Sequence, residues 1–343
     1  MDENIYTRPD EIRIPFEEMV KVFNGILLKN YFTKEKAKIC ARLFAENSLD
    51  GVYTHGVNRF AGFIKYIHEN CINVHAEPEL KKSAGAIEQW DGKLGPGPLN
   101  ALKSTERAME LAKEYGIGCV ALGNSNHWMR GGAYGWKAAK AGFVFIGWTN
   151  TTGIMPAWGA VDPRMGNNPV VFALPFNGEA IVLDMAVSQF SFGIMETYKR
   201  RNEQLPYPGG FNKDGVLTTD PAEILESKRS LPIGYWKGAG LALIFDLLST
   251  VLSGGVPTYE IRKHPYEHGL CQTYIVIDLS KLGAQSAISK TINLIIEDYH
   301  NSIPESDKSE IIYPGERVLK TRHENLLYGI PVRKDIWETI NSF

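Results

Sequence analysis

Three short apolar runs, at 143–148, 170–174 and 181–183, are joined by loops rich in Gly, Pro and Asn that hold no pattern for a crossover helix. Parallel neighbours need such a crossover and antiparallel ones do not, so the sheet these runs build has substantial antiparallel content. The GxGxxG turn between a strand and a helix, which normally announces a doubly wound dinucleotide fold, is absent from the sequence. Gly95-Pro96-Gly97-Pro98 does not replace it, because its prolines lack the N–H groups a phosphate cradle uses.

Helical spacing of apolar residues over 16–30 and 34–49 gives a helical pair leading into a turn at His55, with a third helix over about 59–69. An amphipathic helix at 99–115 stops at Gly116 and a short strand at 117–122 follows, after which His127 lies in a loop with Asn124, Asn126 and Gly131-Gly132. The stretch 238–252 (GAGLALIFDLLSTVL) is apolar nearly all round and reads as a buried helix, so its Asp246 needs a partner or a place at the core's edge. A strand at 273–278 and helices at 286–299 and 334–340 complete the pattern, which is α/β of the α+β kind. Three regions are expected: 1–122, helical and carrying His55 and Arg59; 123–270, built on the sheet; and 271–343, packing back on the first. The first dozen residues and the 202–215 loop should be the least ordered.

With 37 basic and 39 acidic residues, the chain has no general electrostatic pull toward nucleic acid or a membrane surface. The N-terminal MDENIYTRPDEIRIPF is charged and lacks an apolar core, so no secretory signal is expected and the cytoplasm is the default location. The longest uncharged run, 141–161, is broken by Gly, Pro, Asn and Thr and reads as a buried strand with a loop after it. Cys40, Cys71, Cys119 and Cys271 are widely spaced and make no CxxC, which points to reduced core thiols.

The segment GVYTHGVNRF at 51–60 sets an imidazole, His55, beside a Gly-flanked turn with a guanidinium, Arg59, four residues on. A histidine can hand a proton to a carbonyl oxygen, and Arg can hold a carboxylate through two parallel hydrogen bonds. The plain alternative is a helix start capped by Asn58 with a solvated Arg. His127 suits a second polar contact in a cleft, or a ring that merely holds its loop. Asp184, ending a short apolar strand, can orient His55 or meet a ligand, or can simply cap a loop. Trp236-Lys237 ahead of Gly238-Ala239-Gly240 brings an ammonium and backbone N–H groups to a helix start, either an anion site or a Gly-softened turn. His264 and His268 have a metal-pair spacing that Pro265 breaks; these, His68 and His75 read as surface residues, and no metal is expected.

The THGVNRF segment resembles the active-site signature of the malate/L-lactate dehydrogenase type 2 family. Further strings match in the same order: GAIEQWD at 85–91, NSNHWMRGG at 124–132, GNNP at 166–169, VLDM at 182–185, GYWKG at 234–238 and PGE at 314–316. The resemblance runs from about Phe16 to the C-terminus, and the strings around His55, at 85–91 and around His127 look closest to reductases of a 2-oxo sugar acid. It implies a non-Rossmann NAD(P) site on a mostly antiparallel sheet flanked by helices. The catalytic set it implies is His55, Arg59, His127 and Asp184. Cofactor contacts carry over onto Ala180, Ile181, Val182, Leu183, Asp184, Met185, Ala186, Trp236, Lys237, Gly315, Glu316 and Arg317, the last standing where such reductases carry His. NADH is the expected cofactor with NADPH as the alternative, the partner is a small 2-oxo acid, and a homodimer is expected. Malate, lactate, ureidoglycolate and cyclic imino acids are the family's other substrates. A ligand-binding homologue without turnover is the competing class, and the intact His55, Arg59 and Lys237 weigh against it.

Overall fold

A computed structural model of the chain describes residues 8–306 and 310–343. From the N-terminus run β1 (Glu11–Ile14), α1 (Phe16–Lys29), α2 (Lys34–Leu49), a 3-10 turn (Tyr53–His55), α3 (Val57–His68), β2 (Glu79–Ala84), β3 (Ile87–Asp91), α4 (Gly97–Tyr115), β4 (Ile117–Ser125), α5 (Gly131–Lys140) and β5 (Phe143–Thr149). Then come β6 (Met155–Pro156), β7 (Pro163–Met165), β8 (Val170–Phe176), β9 (Glu179–Met185), α6 (Phe192–Arg200), β10 (Gly210–Phe211), β11 (Leu217–Thr218), α7 (Pro221–Ser227), α8 (Trp236–Ser253) and α9 (Thr258–Ile261). The chain closes with β12 (Leu270–Asp278), α10 (Gln285–His300), α11 (Glu316–Tyr328), β13 (Ile330–Arg333) and α12 (Lys334–Asn341). Of the expected loose N-terminal dozen, residues 1–7 lie outside the described residues, and the rest lead into β1.

Two compact units emerge, one from residues 1–75 with 289–343 and one from 76–288. These boundaries replace the expected breaks at 122/123 and 270/271 for a simple reason: β4 runs through residue 122, and it pairs along its length with β12, which starts at Leu270. Backbone hydrogen bonding keeps both strands in one unit.

The first unit is helical around an aromatic core. Phe23 stacks on Phe60 with ring centroids 4.0 Å apart, and Phe44 meets Phe60 edge-on at 5.2 Å. Thr33 caps α2 by accepting the Lys36 N–H, and β1 pairs antiparallel with β13, tying the two ends of the chain together. Helix α3 opens two residues earlier than an Asn58 cap would set it: Gly56 is the N-cap, and the Val57 N–H is taken by Ser48 Oγ of α2 at 2.8 Å.

The second unit is a seven-stranded sheet in the order β2-β3-β4-β12-β5-β8-β9. Only β3 and β4 are parallel, joined through α4, and the other neighbours are antiparallel, as the Gly- and Pro-rich loops imply. Helices α4 and α5 cover one face over Leu111, Val120, Phe145, Val182 and Tyr274. On the other face α8 lies on the sheet, and Trp148 stacks against Phe245.

Helix α8 is not buried all round, contrary to its composition. Its inward face is Gly238, Ala239, Ala242, Ser249 and Ser253, small residues that let it lie close on the strands, together with Phe245. The larger Leu243, Ile244, Leu247, Leu248 and Val251 face outward, Val251 at 74% exposure. By length and composition alone α8 could cross a membrane. Asp246 has the partners it needs, accepting from Asn150 Nδ2 at 3.1 Å and the Thr258 N–H at 2.9 Å. The 202–215 loop is tied down more than its composition suggests, with Leu205 buried and its N–H bonded to the Thr219 carbonyl. All four cysteines are buried thiols outside any disulfide.

Candidate active site

His55 is the last residue of a 3-10 turn that the end of α2 holds from behind. Asn47 Nδ2 donates to the His55 carbonyl at 3.0 Å while Ser48 Oγ receives the Val57 N–H. Gly56 is required between them, because a Cβ there would lie 2.2 Å from Ser48 Oγ and 2.8 Å from the Ser48 nitrogen. Helix α11 braces the same place: Asn325 Nδ2 donates to the Leu49 carbonyl at 2.9 Å and to the Tyr53 hydroxyl at 3.3 Å, and Arg322 pairs with Asp50. The imidazole is half-buried, with Nδ1 3.0 Å from Thr54 Oγ1. Arg59 stands exposed in the first turn of α3 and makes no ion pair among the described residues.

Gly315, Glu316 and Arg317 form the start of α11, in the same unit as His55 and Arg59. Gly315 adopts a φ of 94°, which favours glycine. Glu316 Oε2 accepts the Tyr313 N–H at 2.9 Å and lies 3.1 Å from His300 Nε2, so this carboxylate is already engaged in closing the turn.

The second unit holds His127, Asp184, the 180–186 segment and Trp236-Lys237. The loop of His127 between β4 and α5 is fixed by buried polar groups. Asn126 Nδ2 donates to the carbonyls of Leu94 at 2.9 Å and Gly95 at 3.1 Å, Gln272 Nε2 donates to the Asn126 carbonyl at 2.9 Å, and the Tyr134 hydroxyl donates to the Trp128 carbonyl at 2.6 Å. His127 Nδ1 accepts the Met129 N–H at 2.9 Å. The role of the Gly-Pro-Gly-Pro string appears here as well: a Cβ on Gly97 would sit 2.1 Å from the His127 carbonyl oxygen, so glycine lets α4 start against this loop.

Asp184 lies on edge strand β9 and accepts the Gly132 N–H through Oδ2 at 2.7 Å, capping α5 from across the sheet. Asp184 is an exposed residue whose carboxyl is nonetheless crowded by protein atoms where it meets α5. That crowding pushes its pKa up, whereas the Gly132 N–H and the buried Arg130 guanidinium act in the opposite direction. Of the alternatives open to Asp184, capping is the one made within its unit. At the start of α8, Trp236 and Lys237 are exposed beside Tyr235, which has a φ of 60° and meets Trp158 edge-on at 5.5 Å.

The sequence reading passed over Thr54, Met129 and Arg130. Thr54 stood in plain view as a hydroxyl next to His55, but the contacts of Met129 and Arg130 come from loop geometry that no periodicity carries. His264 and His268 have rings 4.5 Å apart, and no group of three metal-ligating side chains exists among the described residues.

Comparison with known proteins supplies the context. The sequence profile described as malate/L-lactate dehydrogenase matches residues 14–341. The chain is 39% identical over 333 residues to the 2,3-diketo-L-gulonate reductase of Citrobacter koseri, covering 96% of this chain and 100% of that protein. It is 40% identical to the reductase of the same name from Klebsiella pneumoniae, with the same coverage. The malate dehydrogenase structure from Pyrococcus horikoshii superposes with a TM-score of 0.90 at 27% identity, covering 100% of this chain and 97% of that one. The sulfolactate dehydrogenase from Methanocaldococcus jannaschii gives 0.87 at 28% identity, covering 96% and 95%.

Proposed function

The chain belongs to the malate/L-lactate dehydrogenase family and is an oxidoreductase, and from that premise we propose that it reduces 2,3-diketo-L-gulonate to 3-dehydro-L-gulonate in the cytoplasm. What carries the choice of substrate is the 39–40% identity, over the full length of the relatives, to reductases of that name. The nicotinamide site is of a non-Rossmann kind, on the largely antiparallel sheet and its helices.

The residues present suit a nicotinamide dinucleotide. Lys237 and Arg317 are exposed cations in the first turns of α8 and α11, where N–H groups point outward and anions are favoured, and exposed Trp236 offers an aromatic face. Ala180 to Ala186, Trp236, Lys237 and Gly315 to Arg317 would hold the cofactor, NADH in preference to NADPH. When bound, it supplies the hydride that reduces the carbonyl carbon. His55 gives its proton to the oxygen that becomes the alkoxide, and the Thr54 hydroxyl steadies the ring through Nδ1. Arg59, exposed and without an ion pair among the described residues, takes the substrate carboxylate in a bidentate grip.

The test is oxidation of NADH and NADPH across a panel of 2-oxo acids that includes 2,3-diketo-L-gulonate, malate and lactate precursors, and a cyclic imino acid. Wild type should turn over the diketo sugar acid best. His55→Asn should lower kcat by about 10² to 10⁴, the range of a positioned general acid, while NADH affinity followed by Trp fluorescence stays nearly constant. Binding of NADH with no oxidation by any acid would leave a ligand-binding homologue, and a His55→Asn enzyme as fast as wild type would remove His55 from the chemistry.

A further inference from the structure

The GNNP string at 166–169 has no part in the chemistry above, yet it carries a fully buried amide with two directed arms. Asn168 Oδ1 accepts the Thr151 N–H at 3.0 Å, and Nδ2 donates to the Ala242 carbonyl of α8 at 2.7 Å. Turning the amide over would set donor against donor and oxygen against oxygen, so the two arms fix one orientation. The backbone of Asn168 has a φ of 24°, a sign that Asn tolerates better than most residues. Gly166 gives the amide its room, since a Cβ there would lie 2.2 Å from Asn168 Oδ1.

The hydrogen bonds leaving this corner return to it. The Asn167 carbonyl accepts the Val187 N–H at 2.8 Å, the Val187 carbonyl accepts the Ile233 N–H at 3.0 Å, and the Ile233 carbonyl accepts the Gly238 N–H at 2.9 Å. Gly238 stands in the first turn of α8, and four residues on, the Ala242 carbonyl takes Asn168 Nδ2. The circuit is closed. A Cβ on Gly238 would lie 2.2 Å from the Ile233 carbonyl oxygen, so glycine is what lets the helix start so close. Three links of this ring run from main chain to main chain, and the Asn168 amide is the one link made by a side chain.

The ring passes through both stretches of this unit that are proposed to hold the cofactor: Val187 directly follows Ala180 to Ala186, and Lys237 directly precedes Gly238. We infer that Asn168 is a positioning residue for the dinucleotide, locking α8 to the end of β9 so that Lys237 stands at a fixed offset from the 180–186 segment. Having no exposed surface, it acts through these elements and not by touching a ligand. The inference rests on the proposed cofactor reading. The Thr151 hydroxyl meets Asn167 Oδ1 at 3.1 Å and Asn168 Oδ1 at 3.2 Å but lies outside the ring, which makes it the natural control.

Amide hydrogen exchange without cofactor and NADH titration by Trp fluorescence, both on the full chain, test the assignment. Asn168→Asp keeps an acceptor for Thr151 and loses the donor; Asn168→Gly suits the positive φ and removes both arms, which covers the case of a buried carboxylate that prevents folding. In either variant the Val187, Ile233 and Gly238 amides should exchange about tenfold faster as a group, while Tyr274 and Val276 of β12 keep wild-type rates. The Kd for NADH should rise about five- to tenfold, the scale of one hydrogen bond's worth of preorganisation, with kcat at saturating NADH near that of wild type. Thr151→Val should lower Tm as the Asn168 variants do and leave the NADH Kd alone, a split that a merely structural role would not produce. Unchanged exchange at the three ring amides would overturn the inference, as would a Kd that the Asn168 variants leave at the wild-type value or that Thr151→Val raises equally. A wild-type chain that binds no NADH would overturn the cofactor reading itself, and the exchange rates tell that failure apart from failure of the ring.

Discussion

Arg59 offers the sharpest test among single residues, because its guanidinium is exposed and no acidic side chain among the described residues claims it. A planar fork and a point charge differ in how they hold a carboxylate. Arg59→Lys should raise KM for the 2-oxo acid about tenfold, roughly 1.4 kcal/mol, and should leave KM for an uncharged ester analogue unchanged. Stability should move by less than about 0.5 kcal/mol, as for other exposed positions. Equal KM values for acid and ester in both enzymes would make Arg59 a plain surface charge. His55 and Arg59 were legible in the sequence because one short segment carries both. Capping was among the sequence alternatives for Asp184, but the partner it caps was not legible, since Gly132 lies 52 residues away and only the fold brings them together. Met129 gave no signal at all, because what matters there is an amide in a left-handed turn.

Among the elements, the parallel junction of β3, α4 and β4 is pinned by one buried ion pair. Glu88, on β3 and 2% exposed, accepts from Arg107 of α4 at 3.0 Å through Nε and 2.8 Å through Nη2, and from Trp90 Nε1 at 2.9 Å. The Arg107 hydrogen bonds hold its carboxyl below the ordinary value with help from Trp90, and burial opposes them. A lowered folded-state pKa means stabilisation that is present above the unfolded value, about 4.3, and is lost as pH falls through the folded one. Glu88→Gln should therefore cost about 1 to 2 kcal/mol at pH 7, with the gap to wild type in a thermal melt narrowing as pH drops below about 4. A gap independent of pH would mean that packing, not charge, is what the substitution removes. Strong periodicity made α1, α2, α4 and α12 readable. By contrast β2 (ELKKSA) is wholly exposed and reads as polar loop, while α5 opens with two glycines that argue against a helix. In α8 composition and geometry part company: apolar residues all round say nothing about which side finds a partner.

For the whole molecule, that outward face of α8 is the observation that supports the proposed homodimer. Burying one large aliphatic side chain is worth about 1.5 to 3 kcal/mol, and Leu243, Ile244, Leu247, Leu248 and Val251 stand together on one helix with at least 40% of each exposed. Light scattering of Leu247→Glu with Val251→Asp should show a monomer where wild type gives a dimer; a dimer that survives both charges would place the interface elsewhere. The sheet-bearing middle of the chain and its helical ends were readable as separate regions, but their borders were not, because strand pairing between β4 and β12 spans residues that are more than 140 positions apart.

The pairing of β1 with β13 has a consequence for how such a chain comes into being. The strand partner of Glu11 is Arg333, so during synthesis β1 stays unpaired until β13 has been made, whereas α1, α2 and α3 can already pack ring on ring through Phe23, Phe44 and Phe60. Residues 76–288 carry all the strands of their own sheet and can close while synthesis continues. The part of the molecule made first is thus completed last, and in that interval the unpaired β1 is what remains open to aggregation.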